Sequence, residues 1–224
     1  MPIKTVIFDL DGTLLDTLAD LAYAVNQALA AENLRPLPTP DYRLLLGSGA
    51  RHLMARAAAK SAAGRPEQIS AVQTDRLLAV FNTVYAENWA CQTKPYSGID
   101  TMLQHLGSAG LQLAVLSNKS DVFTKEIIRH FFPDIAFQTV VGKRDGWPLK
   151  PDPTTAFEIL KLLGTEPVQA ALVGDSGSDM ETAVRAGMLP VGAGWGFRSA
   201  EELIAGGARQ LAAQPIDLIS ILTG

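Results

Sequence analysis

The sequence predicts an α/β fold, in which a parallel sheet carries helices on both faces and a helical segment is inserted near the N-terminus. Three observations lead to this prediction. Short apolar runs alternate with helical patterns over most of the chain, which is typical of a parallel sheet covered by helices. Polar residues follow several of these runs directly. One long stretch, rich in Ala, Leu, Gln and Glu, breaks the alternation because it contains no convincing strand.

The first strand is predicted over residues 5–8, a β-branched and aromatic run that stops at Asp9 and is typical of a fully buried strand. The remaining elements of the sheet follow from the same alternation. Further strands are predicted at 111–116, 137–141, 170–173 and 189–191, and helices at 100–109, 121–132, 154–163 and 179–186. This arrangement predicts a Rossmann-like core.

The inserted stretch runs from about residue 17 to residue 89. Helical periodicity appears near 17–32, 50–62 and 67–88, and loops are predicted at 36–40 and 64–66. We therefore predict a core formed by residues 1–16 and 90–224, and a helical cap formed by residues 17–89. A cap that lies over the strand ends is one interpretation, and an independent helical domain with no role at the site is the other.

Composition excludes several classes of function. Hydrophobic residues make up 47% of the 224 residues and charged residues 19%, as in an ordinary globular protein. The net charge is −4 without a Lys/Arg run, so no nucleic-acid partner is expected. The single cysteine, Cys91, rules out an internal disulfide framework and a thiolate zinc cluster. No apolar stretch approaches the roughly 20 residues of a membrane helix. We expect a cytoplasmic monomer or homodimer with no membrane partner.

Acidic side chains fall at the ends of the first and fourth predicted strands. Asp9 and Asp11 follow the first strand, and Asp175 and Asp179 follow the fourth. The carboxyl ends of parallel strands share one edge of the sheet, so these four carboxylates should converge. A divalent cation would offset their repulsion, and oxygen-only ligands favour a hard ion such as Mg²⁺. The three histidines are scattered and lack the spacing of ligands.

Groups suited to a phosphate occur at the same edge. Gly12 permits a tight loop with Thr13, in which backbone N–H groups are expected to face an anion. Ser117 offers a hydroxyl after the second strand, with the backbone N–H groups of Asn118 beside it, and Lys150 offers a compact positive charge after the third. The sequence thus predicts a combined phosphate and Mg²⁺ site.

Four segments of this edge carry a family resemblance. They are Asp9-Leu10-Asp11-Gly12-Thr13-Leu14-Leu15-Asp16, Ser117-Asn118-Lys119, Lys150-Pro151-Asp152-Pro153 and Gly174-Asp175-Ser176-Gly177-Ser178-Asp179. In this order they resemble the four motifs of the haloacid dehalogenase superfamily of phosphohydrolases. Within it, the chain resembles the phosphoglycolate phosphatase-like branch with a helical cap, over nearly its whole length.

The resemblance implies a role for each motif residue. Asp9 would attack phosphorus and form an aspartyl-phosphate, and Asp11 would protonate the leaving oxygen and then activate water. Ser117 and Lys150 would bind the phosphoryl group. Mg²⁺ would be held by Asp9, the Asp11 backbone carbonyl and Asp175, with Asp179 supporting the metal shell or Lys150. The implied activity is phosphatase action on a small phosphorylated metabolite, with 2-phosphoglycolate as a plausible example.

Several alternatives remain open at this point. Asp16 could cap the helix that starts near Thr17, and Asp179 could cap its own helix. The glycine-rich segment 192–196 is interpreted as a loop because no helix signature follows it. A phosphomutase of the β-phosphoglucomutase type would use the same aspartates, and a non-catalytic binding protein could share the fold.

The cap offers one candidate for substrate specificity. Gly47 and Gly49 stand at a predicted helix start with Arg51 one turn further on, and helix N-termini attract anions. In the resembling phosphatases this loop faces the active site, so Arg51 is expected to meet a substrate carboxylate. The alternative is a simple turn between helices with an arginine that faces solvent.

Overall fold

The structure is a computed structural model that describes residues 2–62 and 69–224. The predicted loop at 64–66 and the first two residues of the predicted helix 67–88 lie outside the described residues. The chain divides into two compact units, one formed by Met1–Asp16 with Pro95–Gly224 and the other by Thr17–Lys94. We call them the sheet unit and the helical unit. The second junction lies after residue 94, whereas the sequence analysis placed it after residue 89.

The sheet unit is built on six parallel strands in the order β5-β4-β1-β6-β7-β8. The strands are β1 (Thr5–Phe8), β4 (Gln112–Ser120), β5 (Phe137–Lys143), β6 (Ala170–Gly174), β7 (Leu189–Ala193) and β8 (Gln210–Ala212), and two short strands, β2 (Leu15–Asp16) and β3 (Lys94–Pro95), lie outside this sheet. At the end of β1, Phe8 is in register with Val115 of β4 and Val173 of β6. The end of β1 therefore lies at the centre of the carboxyl edge.

Helices flank the sheet and confirm the predicted α/β class. They are α4 (Ile99–Ser108), α5 (Asp121–Phe131), α6 (Thr154–Leu163), α7 (Gly177–Ala186), α8 (Ala200–Ala205) and α9 (Asp217–Thr223). One core cluster shows how a face is covered: Ile7 and Leu172 of the sheet pack with Ile159 and Leu160 of α6 and Ala183 of α7, all at most 2% exposed. Burial of such apolar side chains is the main stabilising contribution to the layered arrangement.

The helical unit contains α1 (Leu18–Ala31), a 3-10 helix (Thr39–Leu44), α2 (Ala50–Ser61) and α3 (Ala71–Asn88). Its own core includes the fully buried side chains Leu29, Met54, Leu77 and Tyr85. At the start of α1, the buried carboxylate of Asp20 accepts hydrogen bonds from the backbone N–H groups of Gln92 and Thr93 and from the Thr93 hydroxyl. The first turn of α1 is thereby tied to the chain segment that leaves α3.

Some local expectations are wrong. Thr39 and Pro40, expected in a loop, open the 3-10 helix, and Gly192 belongs to strand β7 rather than to a loop. Thr17, rather than Asp16, occupies the N-cap position of α1, and Asp16 lies in β2. The short elements β2, β3, β8, α8 and α9 were not predicted, since two to seven residues carry too little periodicity to be recognised. No helix of the described ranges is both long and apolar enough to cross a bilayer.

Candidate active site

Asp9 stands directly after β1, at the centre of the carboxyl edge. Its backbone N–H donates to the Val173 carbonyl at 2.9 Å, which extends the sheet by one residue. Its Oδ1 accepts from the Leu10 N–H at 2.7 Å and from the Lys150 ammonium at 2.8 Å. Burial raises the pKa of Asp9 to about 7, with the Asp179 and Asp11 carboxylates adding to the effect and Lys150 opposing it. The structure therefore holds one oxygen of a buried carboxylate in a fixed position.

The loop after Asp9 closes on itself. The Gly12 N–H donates to the Leu15 carbonyl at 2.9 Å, and the Thr13 N–H donates to the Leu10 carbonyl at 3.3 Å. The expected orientation of these two amides toward an anion is therefore not found, because both bond within the loop. Gly12 has φ +87°, and a Cβ there would lie 2.4 Å from Oδ2 of Asp175. Glycine is thus required both for the loop conformation and for the close approach of Asp175.

Lys150 is the central cation of the site, with only 2% of its side chain exposed. Its ammonium donates to the Leu116 carbonyl at 2.8 Å and to Oδ1 of Asp179 at 2.6 Å, in addition to Asp9. Burial lowers the pKa of Lys150, but the carboxylates of Asp179 and Asp9 outweigh burial and the pKa is raised overall. The ammonium stays charged and links two carboxylates.

Asn118 fixes the backbone of Lys150 rather than presenting its side chain to the edge. Its Oδ1 accepts from the Lys150 N–H at 2.9 Å and its Nδ2 donates to the Lys150 carbonyl at 3.1 Å. Ser117 is 4% exposed, and its hydroxyl oxygen accepts from the Lys119 N–H at 3.2 Å. The end of β4 thus positions the lysine loop that follows β5.

Asp175 follows β6 and is 2% exposed. Its Oδ1 accepts from the Thr13 hydroxyl at 3.2 Å, and its Oδ2 accepts from the Phe197 N–H at 2.8 Å. The pKa of Asp175 is raised to about 8, first by burial and then by the carboxylates of Asp9 and Asp179, against the opposing effect of the Phe197 amide. The side chain of Thr13, predicted to bind phosphate, is engaged in orienting this carboxylate.

Asp179 combines both roles that the sequence left open. It is the third residue of α7, and its Oδ2 accepts from the N–H and the hydroxyl of the N-cap residue Ser176, at 3.1 and 2.5 Å. Its Oδ1 accepts from Lys150. Asp179 therefore caps its helix and also holds the lysine.

Three of the four carboxylates that were expected to converge do so. Asp9, Asp175 and Asp179 each offer an oxygen within 4.8 Å of the others, and all three are buried. The Asp11 carboxylate is not part of this group, because both of its oxygens accept from the Lys119 ammonium at 2.7 Å. An oxygen-only donor set of this kind fits a hard divalent cation better than a soft one. The chemistry of the cluster is thus suited to an ion such as Mg²⁺.

The segment Trp195–Phe197 belongs to the site, although the sequence analysis treated Trp195 and Gly196 as part of a loop and gave Phe197 no role. The Trp195 indole N–H donates to the Thr13 carbonyl at 2.9 Å, and a Cβ on Gly196 would lie 2.2 Å from the Cβ of Asp175. Lys119 was also given no role, although it contacts Asp11. No sequence signal marks Trp195, Gly196 and Phe197, because only the folding of the chain brings them next to Asp175 and the loop after β1.

The candidate specificity residues lie in the helical unit. Gly49 is the N-cap of α2 with φ +83°, and Gly47 has φ +106°. Arg51, in the first turn of α2, forms an exposed ion pair with Asp75 of α3. Both partners belong to the helical unit, and the ion pair lies on the surface of that unit.

This fold and this edge define a class of enzyme, a phosphatase built on a parallel sheet flanked by helices. The sequence model of the haloacid dehalogenase-like hydrolases matches residues 6–193, and the chain belongs to this family. The phosphoglycolate phosphatases of Caulobacter vibrioides and Rhodospirillum rubrum are 36% and 35% identical to the chain. The matches cover 86% and 87% of this chain and 80% of each relative.

Solved structures agree with this family. A crystal structure from Lactobacillus delbrueckii superposes with a TM-score of 0.94 at 31% identity, and the match covers 100% of both chains. The β-phosphoglucomutase of Clostridium difficile superposes with a TM-score of 0.74 over 96% of this chain and 93% of that one, but at only 18% identity. The second match shows a shared fold and no more.

Proposed function

We propose that the chain is a Mg²⁺-dependent phosphatase that hydrolyses a small phosphorylated metabolite through an aspartyl-phosphate on Asp9. One observation carries the proposal. Oδ1 of Asp9 is held by Lys150 and the Leu10 N–H, whereas Oδ2 accepts no hydrogen bond from residues 2–62 or 69–224. A carboxylate fixed through one oxygen presents the other in a defined direction, which is what a nucleophile requires.

The reaction has two steps. In the first, Oδ2 of Asp9 attacks phosphorus, the bond between phosphorus and the ester oxygen breaks, and Asp11 gives its proton to the leaving oxygen. In the second, Asp11 takes a proton from water, the water oxygen attacks phosphorus, and the aspartyl–phosphorus bond breaks. Inorganic phosphate leaves, and Asp9 and Asp11 return to their starting forms.

The acidic side chains at the carboxyl edge, which we call the acidic edge, support the metal dependence. The side chains of Asp9, Asp11, Asp175 and Asp179 bring four carboxylates, and Lys119 and Lys150 bring two ammonium groups, so acidic groups are in excess. Asp9, Asp175 and the Asp11 backbone carbonyl would hold the ion, with Asp179 supporting Lys150. When bound, a divalent cation supplies charge neutralisation for the phosphoryl group.

Phosphate binding is assigned to Ser117 and Lys150, with Asn118 keeping Lys150 in place. Lys150 is buried and charged, and a preorganised ammonium stabilises the phosphoryl oxygens more than a solvated one would. Gly12 and Thr13 contribute by shaping the loop and holding Asp175.

Substrate choice is assigned to residues 17–89 acting as a cap, with Gly47, Gly49 and Arg51 as its specificity residues. Two relatives that cover most of the chain are phosphoglycolate phosphatases, and an arginine at the start of α2 suits a substrate carboxylate. We propose 2-phosphoglycolate as the first substrate to test.

The test is phosphate release from a panel of phosphorylated metabolites with and without Mg²⁺. Wild type is compared with Asp9→Asn and with Asp134→Asn, a matched change at an exposed aspartate. We expect Asp9→Asn to lose turnover and to form no acid-stable phosphoprotein, while Asp134→Asn behaves as wild type. Undiminished turnover in Asp9→Asn rules out the nucleophile. Isomerisation of a sugar phosphate that requires a sugar bisphosphate, without phosphate release, would establish the phosphomutase alternative.

A further inference from the structure

Lys119 and Asp11 form a partly buried ion pair at the carboxyl edge. The Lys119 ammonium donates to both oxygens of Asp11, each at 2.7 Å. Only 8% of the lysine side chain and 20% of the aspartate side chain are exposed. A two-point contact restrains the rotation of a carboxylate, which a single hydrogen bond does not do.

The backbone of Lys119 is also held on both sides. Its N–H donates to the Ser117 hydroxyl oxygen at 3.2 Å, and its carbonyl accepts from the fully buried Thr124 hydroxyl at 3.3 Å. β1 ends in register with Val115, so Lys119 lies on the part of β4 that continues beyond β1. From there its side chain reaches the loop that carries Asp11.

We propose that Lys119 is a positioning residue that aims the Asp11 carboxylate at the two oxygens with which it exchanges protons. The inference rests on the proposed function, since it needs Asp11 as the acid and base. Asp11 lies on a loop at the rim of the edge and is more exposed than Asp9 or Asp175. Proton transfer needs hydrogen-bond distance and alignment, so an unrestrained Asp11 would meet its partner oxygen in only a fraction of encounters.

The two steps depend on Asp11 in different ways, and this separates positioning from a general structural effect. An alkoxide leaving group needs a proton as its bond to phosphorus breaks, whereas p-nitrophenolate is stable enough to leave without one. Water needs a base in the second step whatever the first leaving group was. If Asp11 is no longer positioned, the rate of aspartyl-phosphate formation from p-nitrophenyl phosphate should stay the same. Formation from an alkyl phosphate and hydrolysis of the aspartyl-phosphate should both slow.

The experiment compares wild type with Lys119→Met, which keeps the stem and removes the charge, and with Lys119→Arg, which keeps a two-point donor. The matched control is Lys125→Met, which removes an exposed ion pair with Asp121 of the same 2.7 Å length. Rapid-quench measurements give the rates of aspartyl-phosphate formation and hydrolysis, with p-nitrophenyl phosphate and with an alkyl phosphate. Unfolding temperatures verify that all variants are folded.

For Lys119→Met we expect kcat to fall about tenfold or more with KM changed less than about threefold, a loss of the size expected for misplaced proton transfer. With p-nitrophenyl phosphate, formation stays near the wild-type rate while hydrolysis slows, so aspartyl-phosphate accumulates. Lys119→Arg recovers part of the loss, and Lys125→Met has wild-type rates. A rise in KM alone, equal slowing of formation with both substrates, or unchanged rates would each overturn the inference.

Failure of this inference is distinguishable from failure of the proposed function. If wild type forms aspartyl-phosphate that Asp9→Asn does not form, the proposed function stands whatever Lys119→Met does. If wild type forms none with either substrate, both are overturned.

Discussion

The side-chain amide of Asn118 forms two hydrogen bonds with the backbone of Lys150: its Oδ1 accepts from the Lys150 N–H at 2.9 Å, and its Nδ2 donates to the Lys150 carbonyl at 3.1 Å. Both residues are about 5–6% exposed, so water cannot replace either bond readily. The pairing joins the end of β4 to the loop after β5. It explains how a flexible lysine stem reaches Asp9 and Asp179 at the same time.

Asn118→Ala should therefore loosen Lys150 without removing it. The change leaves two buried backbone groups without partners, at a cost of about 1–3 kcal/mol each in the free energy of unfolding. We expect kcat to fall by about tenfold, because the ammonium loses its fixed position. Urea unfolding and steady-state kinetics measure the two effects. Asn88→Ala, which removes a partly exposed bond to the Val84 carbonyl and a weak exposed one from the Cys91 thiol, should cost less and leave kcat unchanged. A fully active Asn118→Ala would contradict the positioning role.

Gly196→Ala should displace the Asp175 carboxylate of the acidic edge, although residue 196 itself carries no charge. Its Cβ would lie 2.2 Å from the Cβ of Asp175 and 2.5 Å from the Gly12 carbonyl oxygen, so the backbone or the carboxylate must shift. We expect weaker Mg²⁺ binding by titration calorimetry and a lower unfolding temperature. Gly177→Ala is the matched control, since a Cβ on this first residue of α7 meets nothing within 4 Å. Equal Mg²⁺ affinity in both variants would show that Gly196 does not support the site.

The acidic edge could be predicted because its residues stand at strand ends, and strand ends of a parallel sheet meet. The runs before Asp9 and Asp175 are short, apolar and β-branched, so their strands and the polar residues after them are visible in sequence. The same reasoning placed Ser117 after the predicted strand 111–116; in the structure β4 runs on to Ser120, and Ser117 lies on the part of it beyond the end of β1. Local pattern and global position agree at these points, and the prediction needs no knowledge of long-range contacts.

The hydrogen-bond partners of those residues could not be predicted, because they are distant in sequence and come into contact only in the folded chain. The Phe197 N–H reaches Asp175 from a turn that has no periodicity, and Trp195 reaches the Thr13 carbonyl from 182 residues away. The amides of the Gly12 loop were expected to face an anion, but a loop with φ +87° at Gly12 can equally satisfy its own donors. Which of the two occurs depends on the Leu10 and Leu15 carbonyls, and sequence spacing does not reveal it.

Arg51→Ala tests the proposed specificity role in the helical unit. We expect KM for 2-phosphoglycolate to rise about tenfold or more and KM for a phosphoester without a carboxylate to change little, because a carboxylate loses its charged partner. Asp75→Ala is the control, since it breaks the ion pair with Arg51 and keeps the guanidinium. It should not raise KM for 2-phosphoglycolate. Equal KM changes for acidic and neutral substrates in Arg51→Ala would remove Arg51 from the specificity argument.

The metal-free protein should lose stability as pH rises between about 4 and 8. The pKa of Asp9 is raised to about 7 and that of Asp175 to about 8, from an ordinary 3.8. In that window the folded state holds protons that the unfolded state has released, so the free energy of unfolding falls with rising pH and levels off only once the pH is well above the pKa of Asp175. Thermal unfolding in the presence of a chelator measures the slope.

Mg²⁺ should reverse this trend, because it binds the ionised carboxylates and replaces their protons. We expect the unfolding temperature to rise more on adding Mg²⁺ at pH 8 than at pH 5. Asp175→Asn provides the control, since it removes the carboxyl group with the higher of the two raised pKa values and one proposed ligand. Its chelator curve should decline less with pH, and Mg²⁺ should stabilise it less. An Mg²⁺ effect of the same size at both pH values would mean that the cation binds away from Asp9 and Asp175.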